Sequence, residues 1–161
     1  MCLEGETILE AQEQTFFFNT LKEVRNKNTS RLLDTKNFIQ HGKTSVYRHS
    51  VRVAFASYRL GLLLQKAGAK INIKELLYGA LLHDYFLYDW HVKSSHRPLH
   101  GFFHPKRALV NADRDFQLTN KEKDIIQKHM FPLTLSVPKY LESVVVCLAD
   151  KWVSLVETVL R

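Results

Sequence analysis

The sequence predicts an all-α fold, a compact multi-helix bundle, and three observations carry that expectation. Six Gly and four Pro in 161 residues leave few turns for the length. Apolar residues recur three and four apart over most of the chain, which is the helical period. Where that period breaks, capping residues stand at the break: Ser45, Asn72, and the Thr119-Asn120-Lys121-Glu122 capping box. The apolar content of 45% is ordinary for a globular protein, and the length suits one domain with a sizeable core, so residues 1–161 read as a single domain.

The elements follow in order. Residues 4–25 read as a first helix, with Ile8, Ala11, Thr15, Phe16, Phe18 and Leu21 as a rough apolar stripe. Asn26 to Ser30 is a polar turn, and a shorter helix is expected over residues 31–40. Gly42 then serves as its left-handed C-terminal residue and His41 as a surface histidine beside it. A longer helix over 45–66, capped by Thr44 or Ser45, carries Val46, His49, Val53, Ala56, Leu60, Leu63 and Leu64 on one face. His49 is therefore on the core stripe, away from Arg48, Arg52 and Arg59. Gly68 ends that helix and Asn72 caps the next, which presents Leu76, Gly79, Ala80 and His83 on one side.

From Tyr85 to Phe103 the periodicity fades into a mixture of aromatic, basic and imidazole side chains, which reads as a long binding loop. His104-Pro105 opens a helix through Ala112, with proline in the first turn. The capping box opens another helix, on which Ile125, Ile126 and His129 share a face, and Pro132 stops it. The last helix starts near Val137-Pro138, with Val146, Cys147, Asp150, Val153 and Ser154 along one side. No internal repeat or low-complexity tract interrupts the pattern.

Cys2 and Cys147 do not form a disulfide framework, which points to a reducing, cytoplasmic setting. No segment reaches the roughly 18 to 20 apolar residues needed to span a membrane, and the acidic start, Met1 to Glu10, has no signal-peptide core. The formal charge of +7 favours an anionic partner or serves solubility. A nucleic acid ranks low, because no aromatic-basic binding motif accompanies the charge.

The chemistry is concentrated in a few polar residues at apolar positions. The run Gly79-Ala80-Leu81-Leu82-His83-Asp84 ends a core-facing helical stretch in an imidazole and a carboxylate. His49, His129 and Asp150 also fall on core stripes, and His104 stands at a helix start. Each would need its own buried partner. One or two divalent cations satisfy them together, since neutral imidazole and ionised carboxylate are ligands for iron, manganese, zinc, cobalt or nickel.

The ordered set His49, His83-Asp84, His104, His129 and Asp150 resembles the HD superfamily of metal-dependent phosphohydrolases. The resemblance covers residues 47–153, about two thirds of the chain, with the N-terminal helices packed on that core. It implies an all-α fold whose ligands point inward from several helices. It also implies that His49, His83, Asp84 and Asp150 hold one metal. In the two-metal branch, His104 and His129 match the ligands of a second ion and Asp84 bridges; this dinuclear reading is preferred over a single metal. His91, His96 and His100 compete with His104 for the loop position.

The implied activity is hydrolysis of a phosphoester or phosphoanhydride of a nucleotide-like or other small phosphorylated molecule by metal-activated water, with Asp84 and Lys106 catalytic. Lys93, Arg97, Lys106, Arg107 and Lys151 flank the ligands and are candidates for phosphate contacts. Leu87 departs from the family pattern: many relatives carry a lysine there, three residues after the aspartate. Two alternatives stay open, a di-iron oxygenase on the same fold and a non-catalytic metal- or nucleotide-binding module.

Overall fold

The computed structural model describes residues 2–90 and 100–159, with side chains over 10–90 and 101–159. The chain is mostly helical. Helix α1 (Cys2–Asn26) leads to a turn of 3-10 helix (Leu32–Asn37) and two short antiparallel strands, β1 (Ile39–His41) and β2 (Thr44–Ser45). Then come α2 (Val46–Lys66), α3 (Ile73–Leu82), α4 (His100–Phe116), α5 (Asn120–Lys128) and α6 (Leu141–Val159). Among the described residues no helix is long and apolar enough to cross a membrane.

Helix α3 sits at the centre because it is mostly apolar from Leu76 onward, with Lys74 exposed in its first turn and Tyr78 half-buried. Leu76, Leu77, Gly79, Ala80, Leu81 and Leu82 are all buried, as expected of a helix that is apolar nearly all round. It packs against α1, α2, α5 and α6. Two glycines set how close its neighbours come. A Cβ on Gly61 of α2 would lie 2.7 Å from the Leu76 side chain, and one on Gly79 would lie 2.6 Å from Ile125 of α5. At Gly61 the ends of the Leu76 and Ile73 side chains would have to shift to admit a methyl group, whereas at Gly79 the contact reaches Ile125 Cβ and the helices would have to separate.

The predicted caps form. Ser45 Oγ accepts from the Arg48 amide at the start of α2, and Asn72 Oδ1 from the Glu75 amide at the start of α3. Thr119 and Glu122 make the reciprocal capping box of α5, and each such cap contributes about 1 kcal/mol. Carboxylates then tie helix starts together. Glu142 Oε1 accepts from the Asn72 amide at 2.8 Å and from Lys121 Nζ at 2.7 Å. Asp124 Oδ2 accepts from Ser143 Oγ at 2.7 Å and from the Lys139 amide at 2.9 Å.

Four expectations are corrected. Residues 31–40 are not one helix: the 3-10 turn ends at Asn37, and Ile39-Gln40-His41 extend with an alternating burial that fits period two. Gly42, at φ 54°, turns the hairpin and does not end a helix. Both roles call for a left-handed residue, so glycine alone did not separate them. His41 is accordingly half-buried, its ring centroid 5.5 Å from that of His49. Helix α4 begins at His100, ahead of the expected His104, with Pro105 inside it. Residues 91–99 of the expected loop, including His91, Lys93, His96 and Arg97, lie outside the described residues.

Candidate metal centre

His83 and His129 are placed by the same local device. Each is the residue at which its helix ends, α3 and α5 respectively, and each ring turns back on the last turn. His83 Nδ1 donates to the Ala80 carbonyl at 2.7 Å, and His129 Nδ1 donates to the Ile126 carbonyl at 2.8 Å. A carbonyl can only accept, so a proton sits on Nδ1 in both rings, and each imidazole in its neutral form presents its Nε2 lone pair inward. The two carbonyls are among those a helix end leaves without a helical partner. Gly79 and Ile125, in contact one turn earlier on each helix, bring the two rings to a centroid separation of 4.9 Å.

Asp84 follows His83 directly and is 2% exposed. The residues after it are anchored. Tyr85 donates its hydroxyl to Asp115 Oδ2 at 3.0 Å and accepts from the Arg31 amide, while Asn111 Nδ2 donates to the carbonyls of Tyr85 and Phe86. Held in this way, Asp84 divides its carboxylate between two sets of imidazoles. Oδ2 lies 3.4 Å from His83 Nε2 and 3.7 Å from His49 Nε2. Oδ1 lies 3.1 Å from His104 Nε2 and 3.5 Å from His129 Nε2.

His49, on the buried face of α2, lies between carboxylates of α6. Its Nε2 is 3.0 Å from Asp150 Oδ1 and its Nδ1 is 2.9 Å from Glu157 Oε2. Arg52 Nη1 donates to the other Glu157 oxygen at 2.7 Å. Asp150 Oδ1 also lies 3.6 Å from His83 Nε2 and accepts from Ser154 Oγ at 3.3 Å. The structure therefore brings His49, His83, Asp84, His104, His129 and Asp150 to one point inside the bundle. Three overlapping triples, His49-His83-Asp84, His83-His129-Asp150 and Asp84-His104-His129, could each hold a metal ion.

The electrostatics of the bare cluster state what it lacks. Burial alone would lower His49, but the bonds to Asp150 and Glu157 outweigh burial and raise it to about 9. Burial also opposes a charge on His83, yet the adjacent carboxylates of Asp84 and Asp150 lift it well above the usual imidazole range. Burial would raise Asp84 and Asp150, and the facing imidazoles instead hold both far below the usual carboxylate range. His129 is pushed the other way, to about 3, by burial and then by the positive charge of His83. The carboxylates thus demand positive charge that the imidazoles can supply only by taking up protons.

The residues present fit a divalent cation. Among the described residues, His83 Nε2 and Asp84 Oδ1 are buried without a hydrogen-bond partner. His104 Nε2 and His129 Nε2 face each other at 2.8 Å, and His129, its proton on Nδ1, offers a lone pair there for a proton or a cation. Imidazole nitrogen with carboxylate oxygen is a donor set for zinc, manganese, iron, cobalt or nickel. Glu157 completes a carboxylate–histidine pair behind His49, the usual means of fixing a ligand ring.

Two participants were missed in the sequence. Gln40 donates from Nε2 to Asp84 Oδ2 at 2.7 Å, and its only signal was a polar residue between two half-buried neighbours of β1. Glu157 was legible as the residue seven after Asp150, on the same face of α6. The candidate phosphate contacts separate. Lys151 lines the cavity that opens on the cluster, of about 970 Å³, although its Nζ donates to the His129 carbonyl and to Cys147 Sγ, both at 3.1 Å. Lys106 and Arg107 line another cavity, of about 560 Å³, with Arg31 and Arg114. Leu87 also lines that second cavity, in a left-handed conformation at φ 58°. Lys93 and Arg97 lie outside the described residues.

These observations define a mostly helical protein with a buried histidine–aspartate cluster able to hold metal. Comparison with protein-family models, with curated proteins and with solved structures found no match to the chain.

Proposed function

We propose that the chain is a metal-dependent phosphohydrolase of the HD type, cleaving a phosphoester or phosphoanhydride of a small molecule. The observation that carries this reading is Asp84, whose two oxygens face separate imidazole pairs at 3.1 to 3.7 Å. A carboxylate so shared suits a pair of ions, with His49, His83 and Asp150 on one side and His104 and His129 on the other. Bound divalent metal would supply a hydroxide nucleophile at neutral pH and offset charge on the phosphoryl oxygens.

The chain's own groups do the positioning. Glu157 and Arg52 orient His49. The carbonyls of Ala80 and Ile126 hold His83 and His129 in the tautomer that ligates. Gln40 directs Asp84 from the side of the cavity. Lys151 is the described lysine that lines the same cavity as the ligands, so it is better placed than Lys106 to meet a phosphoryl oxygen.

The test is release of orthophosphate from a panel of phosphoesters by protein loaded with manganese, zinc or iron, beside Asp84→Ala. Turnover with manganese that Asp84→Ala abolishes supports the proposal. Activity confined to iron, with consumption of oxygen, would replace it with the oxygenase reading.

A further inference from the structure

The cavity over the cluster is large and lopsided. Its inner wall is the metal-ligand set: Asp84, His104, His129 and Asp150. Away from that wall its lining is mostly apolar, with Trp90, Met130, Pro132, Leu133, Leu155 and Val159 beside a smaller polar part that includes Gln40, Ser154 and Thr158. These come from three separate segments: the residues after the His83-Asp84 turn, the loop after α5, and the last turns of α6. Leu133 is 47% exposed and Leu155 is 55% exposed, yet both face this cavity. Among the described lining residues the one lysine or arginine is Lys151, and its ammonium is already engaged by the His129 carbonyl and Cys147.

Among the described residues, the arginines and the lysine that would suit a polyanion gather in another cavity. Arg31, Lys106, Arg107 and Arg114 line the second cavity, which shares no lining residue with the first. A chain of several phosphates needs cations or amide donors along its length. The described lining of the cluster cavity offers instead a place for an anionic group at the ligands and mostly apolar surface for the remainder. A volume of about 970 Å³ is at the upper end for sites that enclose a drug-sized ligand.

We infer that the substrate is a phosphomonoester whose phosphoryl group is carried on a bulky apolar moiety, aryl or branched alkyl, seated against Leu133, Leu155, Met130 and Trp90. This rests on the phosphohydrolase reading for where the phosphoryl group lies. It replaces a nucleoside polyphosphate with an ester that has one anionic end. Leu133 and Leu155 become the residues that set specificity, acting on binding and not on the hydrolytic groups.

The experiment is calorimetric binding of three non-reacting or slowly reacting probes to manganese-loaded protein: 1-naphthylphosphonate, methylphosphonate and ribose 5-phosphate. The expected result is naphthylphosphonate binding at least about tenfold tighter than either other probe, from burial of the rings. Leu133→Glu and Leu155→Glu, both at partly exposed positions, should each erase most of that preference while metal content stays at the wild-type value. Equal binding of the three probes, tighter binding of ribose 5-phosphate, no measurable binding of naphthylphosphonate, or a preference untouched by both variants overturns the inference. None of these outcomes depends on turnover. Failure of the phosphohydrolase reading is seen separately, as no orthophosphate release from any ester while the probe preference persists.

Discussion

His104 and His129 meet nitrogen to nitrogen, 2.8 Å between their Nε2 atoms, although one projects from α4 and the other ends α5. The proton on His129 Nδ1 is committed to the Ile126 carbonyl, so the meeting leaves a lone pair in need of a cation or proton. If that need is met by metal, His129→Ala should lower the bound metal per chain by about half while His49, His83, Asp84 and Asp150 retain the rest. Elemental analysis after exhaustive dialysis reads this directly. Unchanged stoichiometry would remove His129 from the ligands.

Glu157 touches His49 and Arg52 but does not line the cluster cavity as Asp150 does. It acts through the ring it orients. Glu157→Gln keeps the shape and removes the charge, and the expected outcome is a 10- to 100-fold weaker metal affinity, the usual effect of losing such a partner. Competition with a chromophoric chelator measures it. Equal affinity would mean that Asp150 alone suffices to hold His49.

Gly79→Ala tests the packing that brings His83 and His129 together. The new Cβ would lie within 2.6 to 2.8 Å of three atoms of Ile125, including its Cβ, so rotation of a flexible end cannot relieve the contact. Overpacking of this kind costs about 3 kcal/mol at its upper end, and the better helix propensity of alanine returns about 1 kcal/mol. The net expectation is about 2 kcal/mol of destabilisation, or about 4 to 8 °C in Tm. Combined with Ile125→Ala, which carries its own cavity cost, the two losses should be less than additive because part of the clash is removed. Thermal unfolding at fixed pH and metal content decides it.

Asp124 links α5 to the start of α6 and gives a pH dependence away from the cluster. Burial alone would raise its pKa, but Lys128, the Lys139 amide and Ser143 together hold it below the usual carboxylate range. A lowered folded pKa means that the contribution is full above the unfolded value, about 3.9, and is lost as pH falls through the folded value. The stability difference between wild type and Asp124→Asn should therefore be constant from pH 6 to about 5 and shrink below about 4. Denaturant titrations across that window check the slope. A difference that grows on acidification would contradict the assignment.

Much of the site could be read from the chain because helical period and burial coincide there. His49, His83 and Asp150 interrupt apolar stripes whose period the structure keeps, and Asn72 and the Thr119 box fixed where two of those helices start. What escaped depends on non-local partners or on ambiguous local chemistry. Gly42 serves a hairpin as readily as a helix end, so β1 and Gln40 were hidden behind it. The placement of Lys106 was in principle available. It lies two residues after His104, about 200° around the helix at 100° per residue, and so faces a different cavity. Lys151 lies one residue from Asp150, about 100° around, and its long stem reaches back toward the site.

The most direct measurement is the metal-to-chain ratio of protein purified without chelator and then dialysed against manganese or zinc, with Asp84→Ala beside it. The expected ratio is near two for the wild type, with loss of at least one ion in the variant, because Asp84 reaches both sides of the cluster. A wild-type chain that retains no metal under any of these conditions would contradict it, and the buried imidazoles would then hold protons in place of ions.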